Sequence, residues 1–190
     1  MPRTKDYNEE VVLAKAMIAF WESGMKGVTT RDLSKVMGIN QYSVYASFTS
    51  KQDLFAKALD YYYDKFVEKG MGLPLCKDQL SIEDLQIFLN QFTAPQNKKY
   101  PLGCFICNTM IDDTKKDKRI QGIIDRYRNF ILSAFQKIIK SQYPNESEVF
   151  IEKKSQILYG SLLGLIVQKK QGVHGEIVNA YVEEMLKIAR

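Results

Sequence analysis

Thr29 to Lys51 reads TTRDLSKVMGINQYSVYASFTSK, and the fold follows from this stretch. Thr29 stands three residues before Asp32, the spacing of a capping box with Asp in place of the usual Glu, so a helix opens here. Leu33, Val36 and Met37 give it an apolar face. Gly38 stops it, Ile39 is the turn residue to be buried, and Asn40 is placed to cap the next helix. Val44, Tyr45 and Phe48 anchor that second helix to the same core, and Ser50 with Asp53 repeats the capping spacing. Two very short helices around a glycine turn make a helix-turn-helix. The second helix also carries Gln41, Tyr42 and Ser43 together. Packing alone has no use for that set, whereas reading base edges in a major groove requires such donors and acceptors.

Upstream, Leu13, Ala16, Met17, Phe20 and Trp21 form the stripe of a helix from about Tyr7 to Ser23, ended by Gly24 and Gly27. Downstream, Phe55, Ala58, Leu59, Tyr62 and Phe66 mark a longer helix. Two glycines and a proline in Lys69-Gly-Met-Gly-Leu-Pro74 then break the pattern. Helices are expected from Ser81 to about Thr93, from near Cys104 to about Asp112, and from Thr114 and Asp117 to about Ser141. Asn145 with Glu148 opens another through Lys170, and the last covers Glu176 to Ala189. The fold class is all-α, with about nine helices.

Bulk composition agrees. Of 190 residues, 45% are apolar and 26% charged, as in an ordinary globular protein. The formal net charge of +5 suits a polyanionic partner, yet residues 1–69 hold 10 Lys/Arg against 9 Asp/Glu. The positive patch is local: within residues 23–51, Lys26, Arg31, Lys35 and Lys51 face only Asp32. The N-terminal MPRTKDYNEE is charged and lacks the apolar segment of a signal peptide. The longest apolar run, from Ile157 to Val167, is interrupted by Gly160, Ser161 and Gly164 and is too short for a bilayer. Three cysteines without a secretion signal indicate a reducing compartment. The expected location is the cytoplasm.

The order of Gly27, Thr29-Thr30-Arg31-Asp32-Leu33, Gly38-Ile39, Val44-Tyr45, Phe48, Ser50-Lys51 and Leu54-Phe55 resembles the DNA-binding domain of TetR-family transcriptional regulators over roughly residues 7–66. The resemblance implies a three-helix DNA-binding domain at 1–50, a connecting helix at 51–70 and an effector-binding and dimerisation bundle at 71–190. It implies phosphate contacts for Thr30, Tyr45 and Lys51. Ser47 stands where many relatives carry histidine, and Tyr42 stands where the family often has a small residue, so the operator should be distinctive. Arg31 is placed to reach backbone or base, and Gln41, Tyr42 and Ser43 are the expected base readers. Arg3 and Lys5 in the N-terminal arm add phosphate or minor-groove contacts.

A single head makes few contacts, so such heads act in pairs on a palindromic site. The expected homodimer surface comprises Tyr159, Gly160, Leu163, Gly164 and Val167 with Val178, Tyr181, Val182 and Met185, the two glycines allowing close helix approach. The effector pocket is expected from Phe88, Phe92, Tyr100, Cys104, Phe105, Cys107, Met110 and Tyr127. Few charges interrupt this aromatic set, which favours an apolar or aromatic effector. Cys104 and Cys107 sit at i and i+3 near a helix start, where a thiol pKa falls and a second thiol can resolve an oxidised one. A thiol redox sensor is therefore the alternative regulator, and the resemblance, through TetR-like proteins with a cysteine after the glycine corresponding to Gly103, extends it to an electrophile sensor. Cys76, Cys104, Cys107 and His174 would bind zinc only by coincidence of the fold. No metal or other cofactor is expected. A thiol-dependent enzyme ranks lower, given one histidine and no phosphate-binding glycine loop or paired carboxylates. A helical adaptor that lost DNA binding is the third class.

Overall fold

The computed structural model describes residues 7–95, 99–111, 117–173 and 175–190, without the side chains of Ser43, Tyr45 and Ala46. Arg3, Lys5, Thr114 and His174 lie outside the described residues. Among the described residues every regular element is helical: α1 (Glu9–Gly27), α2 (Thr30–Met37), α3 (Gln41–Ser47), α4 (Lys51–Tyr62), α5 (Ile82–Asn90), α6 (Phe105–Ile111), α7 (Lys118–Gln142), α8 (Glu148–Lys170) and α9 (Gly175–Ala189). A π-helical stretch, Tyr63–Met71, continues α4, and one 3-10 turn follows at Leu73–Leu75.

The caps explain the boundaries. Asn8 accepts hydrogen bonds from the backbone N–H groups of Glu10 and Val11, so α1 starts two residues later than its apolar stripe suggests. Gly24 interrupts it with φ 69° and ψ 171°, a left-handed φ that favours glycine. The capping box at Thr29 is formed, with the Thr29 N–H donating to Asp32 at 3.0 Å and the Asp32 N–H donating to Thr29 at 3.2 Å. Ser81 and Asp84 form a second box at α5. Asp117 caps α7. Ser147, rather than Asn145, caps α8, because its hydroxyl accepts the Phe150 N–H at 3.2 Å.

α1 packs most extensively on α4 and then on α2, while α7, α8 and α9 pack in succession. One continuous core joins the two ends. Phe55 of α4 lies edge-on to Phe20 of α1 at 5.0 Å and to Phe105 of α6 at 5.3 Å, so an aromatic chain ties the head to the larger bundle. Ion pairs reinforce the same joint: Arg119 of α7 to Asp53 at 2.7 Å, and Arg126 to Asp60 at 2.6 Å. Val36 is 46% exposed, because the eight-residue α2 buries only Leu33 and Met37, one turn apart.

The expected break after Phe66 is a change of helix type that begins earlier, at Tyr63. Its end is set by contact. The Gly72 N–H donates to the Val67 carbonyl at 2.7 Å, a bond spanning five residues, and a Cβ at Gly72 would lie 2.5 Å from that oxygen and 2.8 Å from the Phe130 ring. Only glycine fits there.

Candidate nucleic-acid interface and ligand cavity

Gly38 closes α2 in the left-handed conformation at φ 73°, its N–H bonded to the Ser34 carbonyl. The Ser34 hydroxyl donates to the Ile39 carbonyl at 2.5 Å, which locks the turn. Val44 and Phe48 are buried, so α3 presents its other face to solvent. On that face Gln41 is exposed and Tyr42 is 78% exposed, a large ring left in water. Arg31 and Lys35 are exposed on α2, with Lys26 at the end of α1. Thr30 occupies the first position of α2 and is half-buried.

Two expected DNA contacts have other work inside the head. Lys51 donates to the Val28 carbonyl at 2.8 Å, tying the start of α4 to the segment before α2. Ser47 is hydrogen-bonded to the Tyr7 hydroxyl. Ser43 and Tyr45 belong to α3, but their side chains lie outside the described residues. The solvent-facing set is thus Arg31, Gln41 and Tyr42, with Lys26 and Lys35 flanking.

A cavity of about 250 Å³ opens between the head and the larger bundle. Five expected residues line it: Phe88, Phe92, Tyr100, Cys104 and Tyr127. Phe105, Cys107 and Met110 do not line it. Only the chain just before α6 reaches the cavity, and the helix then turns Phe105 into the core between Phe55 and Tyr62. Sequence reading missed Trp21, Phe66, Val67, Ile131 and Ile166 as wall residues. Trp21 looked like one more stripe residue of α1, and nothing in helical periodicity distinguishes a wall from a core. Its ring stands edge-on to Tyr62 at 4.9 Å and stacks near Tyr100 at 6.1 Å. Polar groups on the rim are already engaged: Gln91 Nε2 donates to the Met71 carbonyl at 2.8 Å, and Lys169 Nζ to the Ala94 carbonyl at 3.2 Å.

Cys104 and Cys107 are both buried and free, and Cys76 is exposed. Hydrogen bonds from Cys107, then Tyr62 and the Cys107 and Ile106 N–H groups, outweigh burial and hold the Cys104 thiol down to about 7. Cys107 moves the other way, because its bond to Cys104 and its burial favour the neutral thiol. Its Sγ donates to the Tyr127 hydroxyl at 3.6 Å. Among the described residues no three His, Cys, Asp or Glu side chains gather as a metal set.

Residues 12–58 match the family model described as bacterial regulatory proteins, tetR family. Over that segment, which holds α2, α3 and parts of α1 and α4, the chain is similar to the TetR family. It is 32% identical over 120 residues to the HTH-type transcriptional repressor ComR of Escherichia coli, covering 59% of the chain but only 55% of ComR, about half of that protein. It is 26% identical over 138 residues to the uncharacterized HTH-type transcriptional regulator YezE of Bacillus subtilis, covering 71% and 70% of the two chains. The fold matches a cysteine mutant of the TetR family transcriptional regulator CifR, solved with a 26-bp operator, at TM-score 0.81 and 23% identity over 97% of this chain and 98% of that one.

The expected dimer residues divide into two groups. Tyr159, Val178, Val182 and Met185 are buried within the protomer, so they support the outer surface of α8 and α9 without forming it. Gly164 receives Tyr181: a Cβ there would lie 2.7 Å from the Tyr181 hydroxyl, so this glycine serves packing inside the protomer. Gly160 faces open space. Leu163 is half-buried and Val167 is 40% exposed. Ile157 and Ile177, absent from the expected set, add exposed apolar surface. Among the described residues no helix is long and apolar enough to cross a membrane.

Proposed function

We propose that this protein is a transcriptional repressor that binds a palindromic operator as a homodimer and is released by a small apolar or aromatic effector. The observation that carries the reading is the α3 face, where Gln41 and a largely exposed Tyr42 project beside exposed Arg31 while Val44 and Phe48 hold the helix to the core. Gln41 and Tyr42 then read bases, Arg31 and Thr30 hold phosphate or backbone, and Ser43, Tyr45, Ser47 and Lys51 complete the contact set. Residues 1–50 act as the head, 51–70 as the connecting helix and 71–190 as the effector and dimer domain. ComR, whose name makes it a repressor, supports the sign of regulation.

The exposed Ile157, Gly160, Val167 and Ile177 are the surface on which two protomers meet, which spaces two heads along the operator. The effector occupies the aromatic cavity. Because Trp21 belongs to α1 of the head, an effector touching it favours one head position over another, and operator affinity shifts by that differential binding.

Selection from a random duplex library followed by anisotropy titration at several salt concentrations tests the reading. A palindrome should emerge, with Arg31→Ala lowering affinity across sequences and the salt slope by about one. Gln41→Ala should change the preferred sequence. If no duplex is enriched, the reading fails.

A second reading, a thiol-based sensor, has one observation in its favour. The buried Cys104, its pKa held down to about 7, lines the same cavity. Oxidant-induced release that survives Cys104→Ser unchanged would eliminate it.

A further inference from the structure

Two buried side-chain nitrogens among the described residues lack a hydrogen-bond partner: Nε1 of Trp21 and Nδ2 of Asn108. Both residues line one cavity of about 270 Å³, separate from the aromatic one except for the shared Trp21 wall. A buried N–H without an acceptor costs folding free energy, and an acceptor seated between these two walls, with a small shift of either side chain, would relieve both. Trp21 is 7% exposed, and its indole nitrogen is itself buried.

The remaining walls define what the acceptor is. Lys170 Nζ donates to Asn108 Oδ1 at 3.1 Å, which fixes the amide with Nδ2 as the unused end. The Lys170 stem lies where a Cβ at Gly103 would meet it at 3.3 Å, so its ammonium is held beside the cavity by packing. Lys26 adds a second positive charge and Glu22 one negative charge, with Ser23 between them in sequence. Two N–H donors and two ammonium groups match the two oxygens of a carboxylate, and Glu22 opposes a second negative charge.

We propose that this cavity binds a small monocarboxylate, its oxygens accepting from Asn108 Nδ2 and Trp21 Nε1 and facing Lys170. The bound acid contacts α1 on both sides of the Gly24 break, immediately before the capping box that starts α2. The site is thus a second input to the head, distinct from the aromatic cavity. The binding claim stands without the DNA-binding reading; the coupling to the head rests on it.

Trp21 is the single tryptophan of the chain, so its indole N–H gives one assignable resonance. Titrating the ¹⁵N-labelled full chain with acetate, butyrate and hexanoate at constant ionic strength should move that resonance saturably. The methyl esters and inorganic phosphate should leave it in place. Asn108→Ala should weaken the response about tenfold, the loss of one hydrogen bond to a charged group. Lys170→Met, which retains the stem against Gly103, should weaken it similarly and guards against a folding defect in the first variant. Phe92→Ala, in the aromatic cavity, should leave it intact.

No saturable shift with any acid means that water alone serves these donors and overturns the site. An equal response to the esters, or a response to phosphate alone, overturns the ligand class. A response abolished by Phe92→Ala but not by Asn108→Ala places the ligand in the aromatic cavity and overturns the site. For the coupling, the acid that moves the resonance should change affinity for a selected duplex, and unchanged affinity overturns the coupling alone. If the chain binds no DNA, the operator reading fails while the titration still decides the site.

Discussion

The α3 face and the aromatic cavity are built in opposite ways. Gln41 and Tyr42 are adjacent in sequence, lie on one short helix and point outward because Val44 and Phe48 point inward. The cavity takes Trp21 from α1, Phe66 from the π-helical stretch, Phe88 from α5, Cys104 from before α6, Tyr127 from α7 and Ile166 from α8. A local face can change one residue at a time without disturbing the core. The walls of the cavity are themselves core, so specificity and stability are entangled there.

Phe55 offers the strongest way to break this contrast, since it belongs to neither region and touches the support of both. It is fully buried, and Phe55→Ala should cost about 3–5 kcal/mol in urea unfolding. The head and the larger bundle should unfold in one transition; two separated transitions would show that the joint is not shared. Tyr42→Ala comes next. It should reduce operator affinity about tenfold or more while leaving the melting temperature unchanged. A lower melting temperature would mean that the exposed ring is structural after all.

The cavity's chemistry is sharpened by pH. The thiolate of Cys104 is favoured in the fold, so its alkylation rate should rise through about pH 7 rather than near the ordinary thiol value of 9.0. Cys76, raised by burial and then by Glu68, should become reactive only at higher pH. Mass spectrometry of peptides after timed iodoacetamide exposure separates the two. Equal pH midpoints would remove Cys104 from consideration as a sensor.

The smallest effect concerns the joint. Burial raises the Asp53 carboxyl, but Lys57 and Arg119 outweigh it and bring the carboxyl below its ordinary range. A depressed folded pKa adds stability above the ordinary carboxylate range and loses it as pH falls through the folded value. Asp53→Asn should therefore lower the melting temperature by about 1–3 °C at neutral pH, with the difference fading in acid. A difference that persists at low pH would assign the loss to Asp53's cap of the Thr49 N–H, 3.3 Å away, rather than to charge.

Much of the head was legible because its information is local. Thr29 and Asp32, Gly38, and Ser50 with Asp53 act within a few residues of themselves, so spacing suffices to read them. Helical periodicity likewise placed the long stripes of α7 and α9. Where two capping residues stand close together, spacing is not enough: Asn145 with Glu148 has the capping spacing, yet the chain's path makes Ser147 the cap.

The sequence determined that the chain is all-helical, that a helix-turn-helix lies toward its N-terminal end and that Val44 and Phe48 anchor α3, since capping and periodicity are short-range. Tertiary structure decided the uses of residues whose neighbours are distant in the chain. It gave Lys51 to the Val28 carbonyl, Gly164 to Tyr181 and Trp21 to both cavities. Buried apolar residues look alike in sequence whether they fill space or surround it, and only packing between remote helices leaves the gap that makes a wall.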